Sequence, residues 1–365
     1  MPPSFGVALR DAEAGRPKAM LIFAECPCTS QRHTRKFRMK SKIHCLLALC
    51  VISGLAIPAL ADPLPSWSDR EARTRIIDFV EAVSDPRSED YITPAARIAV
   101  FDNDGTLWSE QPIYFQGLFA IDRLREMAHE DEAILSTDLL RAAVAGDLGV
   151  VAEAGHEGLL EILKVTHADT TVADFQGRVV EWMASATHPE TGLLYRAMVF
   201  QPMLELLSYL RDNQFSTYIV SGGGLHFLRA VAEELYGVPP DQVIGSSGQT
   251  RYAEMEGTPQ LVKDPAIAFI DDKAGKPVGI DTHIGKRPIF AAGNSDGDFE
   301  MLEYTMAGAG PRFGMIVHHS DAEREWAYDR DSPVGRLARG LDEGPGRGWL
   351  IVDMASDWER IWPAR

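Results

Sequence analysis

Asp102 and Asp104 stand one residue apart, with Ile98-Ala99-Val100-Phe101 directly before them and Gly105-Thr106 directly after. Paired acids in that setting have three uses. They can serve a ligand from the carboxyl end of a buried strand, where open α/β sheets bind. They can make a local turn, which Asp and Gly favour through side-chain hydrogen bonds and backbone freedom. They can coordinate calcium, which needs further oxygens at fixed offsets and a Glu at the twelfth position. The twelfth position here is Ile113, which speaks against calcium.

Two later stretches repeat the pairing of an apolar run with a polar end. Thr217-Tyr218-Ile219-Val220 leads into Ser221-Gly222-Gly223-Gly224, and Pro288-Ile289-Phe290-Ala291-Ala292 into Gly293-Asn294-Ser295-Asp296-Gly297-Asp298. Between them lie Lys273 and Lys276, the second within Gly275-Lys276-Pro277. Three polar strand ends with a lysine between the second and third define a site more narrowly than one Asp-x-Asp.

The elements that must position these residues are legible as patterns. Short apolar runs bounded by turn signals suit strands buried on both faces. Val243-Ile244-Gly245, Gly314–Val317 and Trp349–Val352 add three more such runs, and Thr250–Val262 reads as a hairpin around Glu256-Gly257. Helical spacing marks Trp67–Val83, Pro202–Leu210, Leu225–Tyr236 and Lys276–Ile284. From Gln111 to Thr187 the texture is helical throughout, with helix starts at Ser136-Thr137-Asp138 and Asp169-Thr170-Thr171. Alternating strands and helices imply an α/β fold, a parallel sheet with helices on both faces. Residues 62–108 and 195–365 would form this core, and 109–194 an inserted helical cap.

With these motifs in order, the chain resembles the haloacid dehalogenase-like hydrolase superfamily over about residues 95–355, and within it the phosphoserine-phosphatase-like branch, whose helical cap lies between the first two motifs. The resemblance implies a Rossmann-like core and phosphoryl transfer. That chemistry needs a nucleophile, neutralisation of charge and an acid–base group. Asp102 would be the nucleophile and form an aspartyl-phosphate. Asp104 would protonate the leaving alkoxide and then activate water. Lys276 would pair with the nucleophile and a phosphoryl oxygen. Lys273 stays open as an alternative, although Pro277 can open a helix and favours Lys276. Ser221 and the amides of Gly222 and Gly223 would hold the remaining phosphoryl oxygens. Mg2+ would be bound by the Asp102 carboxylate, the Asp104 carbonyl and the last loop. That loop usually begins Gly-Asp and here begins Gly293-Asn294; Asn294 and Asp298 are the expected ligands, with Asp296 a further candidate. An acid two residues after the nucleophile favours phosphate esters over haloacids, phosphonates or ion transport. A phosphomutase, or a phosphate-binding protein with a decayed site, is the alternative.

The substrate is expected to be a small phosphomonoester, enclosed by the cap. Trp108 and Glu110, with Tyr114 and Phe115, follow the first motif and are candidates for gripping a cationic alcohol; Tyr114 and Phe115 could equally pack within the cap. His318-His319 and Asp321 lack metal-ligand spacing and read as structural.

Composition excludes some partners. With 36 basic and 53 acidic residues the formal charge is −17, so the basic face of a nucleic-acid binder is missing. Met39-Lys40-Ser41-Lys42, the apolar Ile43–Ile57 and Ala59-Leu60-Ala61 form a signal-peptide pattern over 39–61, cleaved after Ala61. Gly54 and Pro58 break the apolar stretch and leave it short for a membrane anchor. The product would be periplasmic or secreted, and residues 1–38 read as an upstream extension from a start assigned too early. Cleavage would remove all four cysteines, and the 27 basic and 50 acidic residues remaining give a charge of −23. An anionic substrate then needs a local cation to bind.

Overall fold

The computed structural model describes residues 62–364; the expected extension (1–38) and signal peptide (39–61) lie outside the described residues. Among the described residues no helix is long and apolar enough to cross a membrane.

The chain enters through α1 (Glu71–Ser84) and passes into β1 (Ile98–Phe101), whose four residues are all buried. Ala99 and Phe101 join one hydrophobic cluster, Ile98 and Val100 another. This is the period-two alternation of a strand covered on both faces. The helical insertion follows as α2 (Phe115–Glu130), α3 (Asp138–Ala145), α4 (Leu148–Glu153), α5 (Gly155–His167) and α6 (Val172–Ser185). Thr137 caps α3 through the Leu140 amide and Thr171 caps α6 through the Asp174 amide, as their side-chain oxygens allow. The ends of the insertion are stitched together: Ser109 N donates to Met198 O (3.1 Å) and Phe200 N to Leu107 O (2.8 Å).

The core resumes with α7 (Gln201–Asp212), β2 (Ser216–Gly224), α8 (Leu225–Arg229) and α9 (Ala232–Tyr236). The single helix expected over 225–236 is two, because Val231 leaves the helical region at φ −130°. Next come β3 (Val243–Met255), β4 (Thr258–Phe269), α10 (Gly275–Ile284), β5 (Phe290–Gly293), α11 (Phe299–Met306), β6 (Phe313–His318), α12 (Arg339–Glu343), β7 (Leu350–Asp353) and α13 (Met354–Asp357).

The seven strands are ordered β4-β3-β2-β1-β5-β6-β7, all parallel except the β3–β4 pair. β1 is central, and successive strands leave it to either side. Its carboxyl end is therefore the crevice where such sheets bind ligands. The third strand and the expected hairpin are one element: β3 pairs with β2 at Val243–Gly245 and runs on to Met255. It turns at Glu256 (φ 51°) and Gly257 (φ 75°), the paired positive dihedrals of a tight hairpin turn. Beyond the sheet this hairpin reaches the insertion, where Asp169 N donates to Lys263 O and Lys263 N to Thr170 O, both at 2.9 Å.

Candidate active site

β1, β2 and β5 deliver their polar ends to one point. Asp102 follows β1 without a break, its amide donating to Ala292 O at 2.9 Å. Lys276, in the first turn of α10, is 2% exposed. Its Nζ donates to Asp102 Oδ1 (2.6 Å), Asp298 Oδ1 (2.5 Å) and Val220 O (3.0 Å). Burial works against the Lys276 charge, but Asp102 and Asp298 more than offset it and hold the ammonium. Lys273 instead is exposed, has φ 51° and makes no contact with Asp102. Pro277 sits third rather than first in α10, where its missing N–H still costs no intrahelical bond.

Asp104 accepts a hydrogen bond from Trp108 Nε1 on Oδ1 (2.8 Å), while Oδ2 faces Gly223, where a Cβ would lie 3.4 Å away. Burial raises its carboxyl to about 6, against the pull of the indole and of Lys276. Burial, then the charge of Asp298, raises Asp102 as well. The Ser221 side chain is fully buried, and its Oγ accepts from Gly223 N at 3.0 Å, fixing the turn of the glycine stretch. Gly222 and Gly223 line the same cavity as Asp102 and Asp104, a space of about 490 Å³.

The last loop divides its acids by role. Asp298 spends Oδ1 on Lys276, while Oδ2 accepts from Asn294 N (3.0 Å), Ser295 N (3.0 Å) and Ser295 Oγ (3.3 Å). The expectation of Asp298 as a metal ligand is corrected: both oxygens are committed to the lysine and to the loop itself. Asp296 accepts from the amides of Ala338, Arg339 and Gly340 and so caps α12. Asn294 keeps its oxygen toward the acids. Thr106 Oγ1 lies 3.3 Å from both Asn294 Oδ1 and Asp102 Oδ2, and one hydroxyl proton can satisfy only one of them.

The residues fit a Mg2+ ion by the chemistry of their donors. Asp102, Asn294 and the Asp104 carbonyl are hard oxygens, and two buried carboxylates, Asp102 and Asp298, meet one ammonium, with the half-buried Asp104 nearby. Among the described residues there is no group of three or more His, Cys, Asp or Glu side chains placed to hold a metal; here a carbonyl and an amide would complete the set.

The expected substrate grip is corrected. Trp108 is fully buried against Phe115, Phe227 and Tyr236, with centroids 5.1, 6.2 and 6.3 Å away, and its one polar atom serves Asp104. Phe115 is core as well. Glu110 borders the cavity but is 2% exposed, and its Oε1 accepts from Asn294 Nδ2 (2.6 Å) and Tyr328 OH (2.8 Å). Burial pushes its carboxyl up to about 8. Neither residue presents a free charge to a cationic alcohol.

Sequence reasoning missed one support of the site, and the partner of a second that it had read as structural. Gln116 Oε1 accepts from Gly224 N (2.6 Å), and its Nε2 lies 3.2 Å from His167 Nε2, so the insertion grips the glycine stretch. Helical spacing marks this stretch as a helix and carries no signal for Gln116. His319 is buried with Nδ1 3.0 Å from Glu325 Oε2 and Nε2 2.7 Å from Gly105 O. Both partners accept, so the ring is doubly protonated and pins the Asp104-Gly105 turn. The His318-His319 pair was visible, but its partner Glu325 lies in a loop without pattern.

A buried parallel sheet, an Asp-x-Asp at its central strand end and a helical insertion that lines the same cavity define an α/β protein with its site at the strand ends. A family model described as haloacid dehalogenase-like hydrolase matches residues 99–303, and the chain belongs to that family. Among solved structures, a conserved protein of unknown function from Anaerococcus prevotii is 15% identical, with 76% of this chain and 99% of that one covered and a TM-score of 0.49. A protein of unknown function from Bordetella pertussis is 16% identical, with 71% and 98% covered and a TM-score of 0.42. A phosphoserine phosphohydrolase-like protein from Francisella tularensis is 15% identical, with 68% and 98% covered and a TM-score of 0.36. No curated protein matches the chain.

Proposed function

We propose that the protein is an exported, Mg2+-dependent phosphomonoester hydrolase working through an aspartyl-phosphate on Asp102. The observation that carries this reading is the contact of Lys276 Nζ with both Asp102 Oδ1 and Asp298 Oδ1, at the end of the central strand and beneath the insertion. Lys276 neutralises and orients the nucleophile, which otherwise would repel an anionic ester. Mg2+, when bound, would supply the remaining charge neutralisation.

In the first step an Asp102 oxygen bonds to phosphorus and the bond to the alcohol oxygen breaks. The protonated Asp104 carboxyl, raised to about 6, gives its proton to that oxygen. Asp104 then takes a proton from water, the water oxygen bonds to phosphorus, and the aspartyl bond breaks to free phosphate. Ser221 and the Gly222 amide hold phosphoryl oxygens through both steps, while the Gly223 amide, which donates to Ser221 Oγ, keeps that hydroxyl in place. The cavity suits a small ester, and closure over it excludes water. The pattern at 39–61 supports a periplasmic or secreted setting without a stable membrane anchor.

Phosphate release from small phosphomonoesters, with Mg2+ and with chelator, tests the reading. Chelator-sensitive release is the expected result. Folded protein that releases phosphate from no ester would overturn hydrolysis and leave transfer between two alcohols, or binding alone, on the same site.

A further inference from the structure

The cavity has a second charged end, opposite in sign to the one that Glu110 was expected to supply. Lys263 on β4 is 8% exposed and lines the cavity. Its Nζ lies 4.4 Å from the centroid of Phe175 and 3.2 Å from His226 Nδ1, and among the described residues no carboxylate pairs with it. The adjacent acid, Asp264, is bonded to Arg251 at 3.1 Å. An ammonium only donates, so His226 Nδ1 is the acceptor and the ring's proton sits on Nε2. His226 is two residues beyond Gly224, so this end adjoins the glycine stretch that faces Asp104. His167 adds no negative charge. Thr166 Oγ1 donates to Ile162 O, so His167 Nδ1 donates to Thr166 Oγ1 and its Nε2 accepts from Gln116.

A buried ammonium costs several kcal/mol of lost hydration unless a counter-charge meets it. Here the backbone of Lys263 is clamped on both sides by Asp169 and Thr170, so the side chain is held in the cavity. We propose that Lys263, with His226, is a specificity-determining subsite for an anionic group on the alcohol of the substrate, a carboxylate or a second phosphate. The proposal rests on the phosphomonoesterase reading for the identity of the other end of the molecule. The apolar wall of Ile113, Leu159 and Leu163 would cover the short carbon chain between the two anions.

The test compares the phosphate ester of 3-hydroxypropanoate, 1,3-propanediol bisphosphate and propyl phosphate, which has one anionic group where the others have two. On the intact chain one of the two esters with a second anionic group should have the higher kcat/KM, mainly through KM, which also tells carboxylate from phosphate. Lys263→Met should lower that value about 10- to 100-fold, the usual worth of a charge-assisted hydrogen bond. Turnover of propyl phosphate should change by less than about twofold, which separates loss of the subsite from loss of fold. Equal kcat/KM for all three esters, or a preference that survives Lys263→Met, would overturn the subsite. If no ester is turned over, calorimetric binding of 3-phosphonopropanoate against propylphosphonate decides the matter. Tighter binding of the former, lost in Lys263→Met, supports the subsite although hydrolysis has failed; equal binding overturns it.

Discussion

Glu110 Oε1 accepts a hydrogen bond from Asn294 Nδ2 at 2.6 Å, and this contact decides which end of the Asn294 amide faces the acids. With the nitrogen held by Glu110, the oxygen lies on the side of Thr106 and Asp102. An asparagine can thus offer oxygen alone, as an aspartate would, while the carboxylate stands one residue farther back.

Asn294→Ala should raise the Mg2+ concentration needed for half-maximal activity, and Glu110→Gln should do so less, because a neutral amide can still accept from Nδ2. Metal titrations of both variants check this. Asp296→Ala should leave the titration unchanged and lower stability by about 1 kcal/mol, the usual value of a lost helix cap. A shifted titration in that variant, with none in Asn294→Ala, would transfer the ligand role to Asp296.

Asp102→Asn should reduce phosphate release by about a thousandfold or more, as loss of a nucleophile does. The fold should survive, since Lys276 keeps Asp298 and Val220 as partners. Circular dichroism and thermal unfolding are the controls. Residual activity near the parent level would remove Asp102 as nucleophile.

Trp108→Phe should move a pH profile without abolishing activity. The indole N–H favours the ionised Asp104 carboxylate, so its loss raises that group further above its present value of about 6. The acid form needed to protonate the leaving oxygen then persists to higher pH. The alkaline limb of kcat/KM should shift upward; a downward shift would contradict Asp104 as the acid.

His319→Gln should destabilise the protein by about 3 kcal/mol, the cost of breaking a buried charged pair. Burial lowers the His319 pKa, but Glu325, Glu110 and the Gly105 carbonyl together raise it above its usual 6.5. A raised folded-state value means that the stabilisation is complete below pH 6.5 and fades as pH climbs through the folded value. Urea unfolding should therefore show a gap between parent and variant that narrows on going to alkaline pH. A gap independent of pH would mean that the ring acts only by its shape.

Much of this protein was legible from its residues in order. The strands β1, β2 and β5 are runs of apolar residues that only a doubly covered sheet can bury, and their polar ends announced themselves by chemical type and sequence. The helix starts at Thr137 and Thr171 and the turn at Glu256-Gly257 are local devices, set by side chains within three residues. The family followed from those motifs.

The choice between Lys276 and Lys273 was not local. Both precede or open one helix, and only the depth of α10 against β1 and β2 puts the first on Asp102 and leaves the second exposed along the cavity, without a contact to Asp102. Trp108 and Glu110 had the composition of a substrate grip, but packing buried one behind Asp104 and tied the other to Asn294. Lys263 carried no signal, because a lysine in a hairpin is ordinarily a solvated one. Its place in the cavity depends on Asp169 and Thr170, about ninety residues earlier, pairing with its backbone. Covalent neighbours and hydrophobic period determine which elements form; which side chains share a cavity depends on contacts between elements far apart in the chain, and these exist only once the sheet and its insertion have packed.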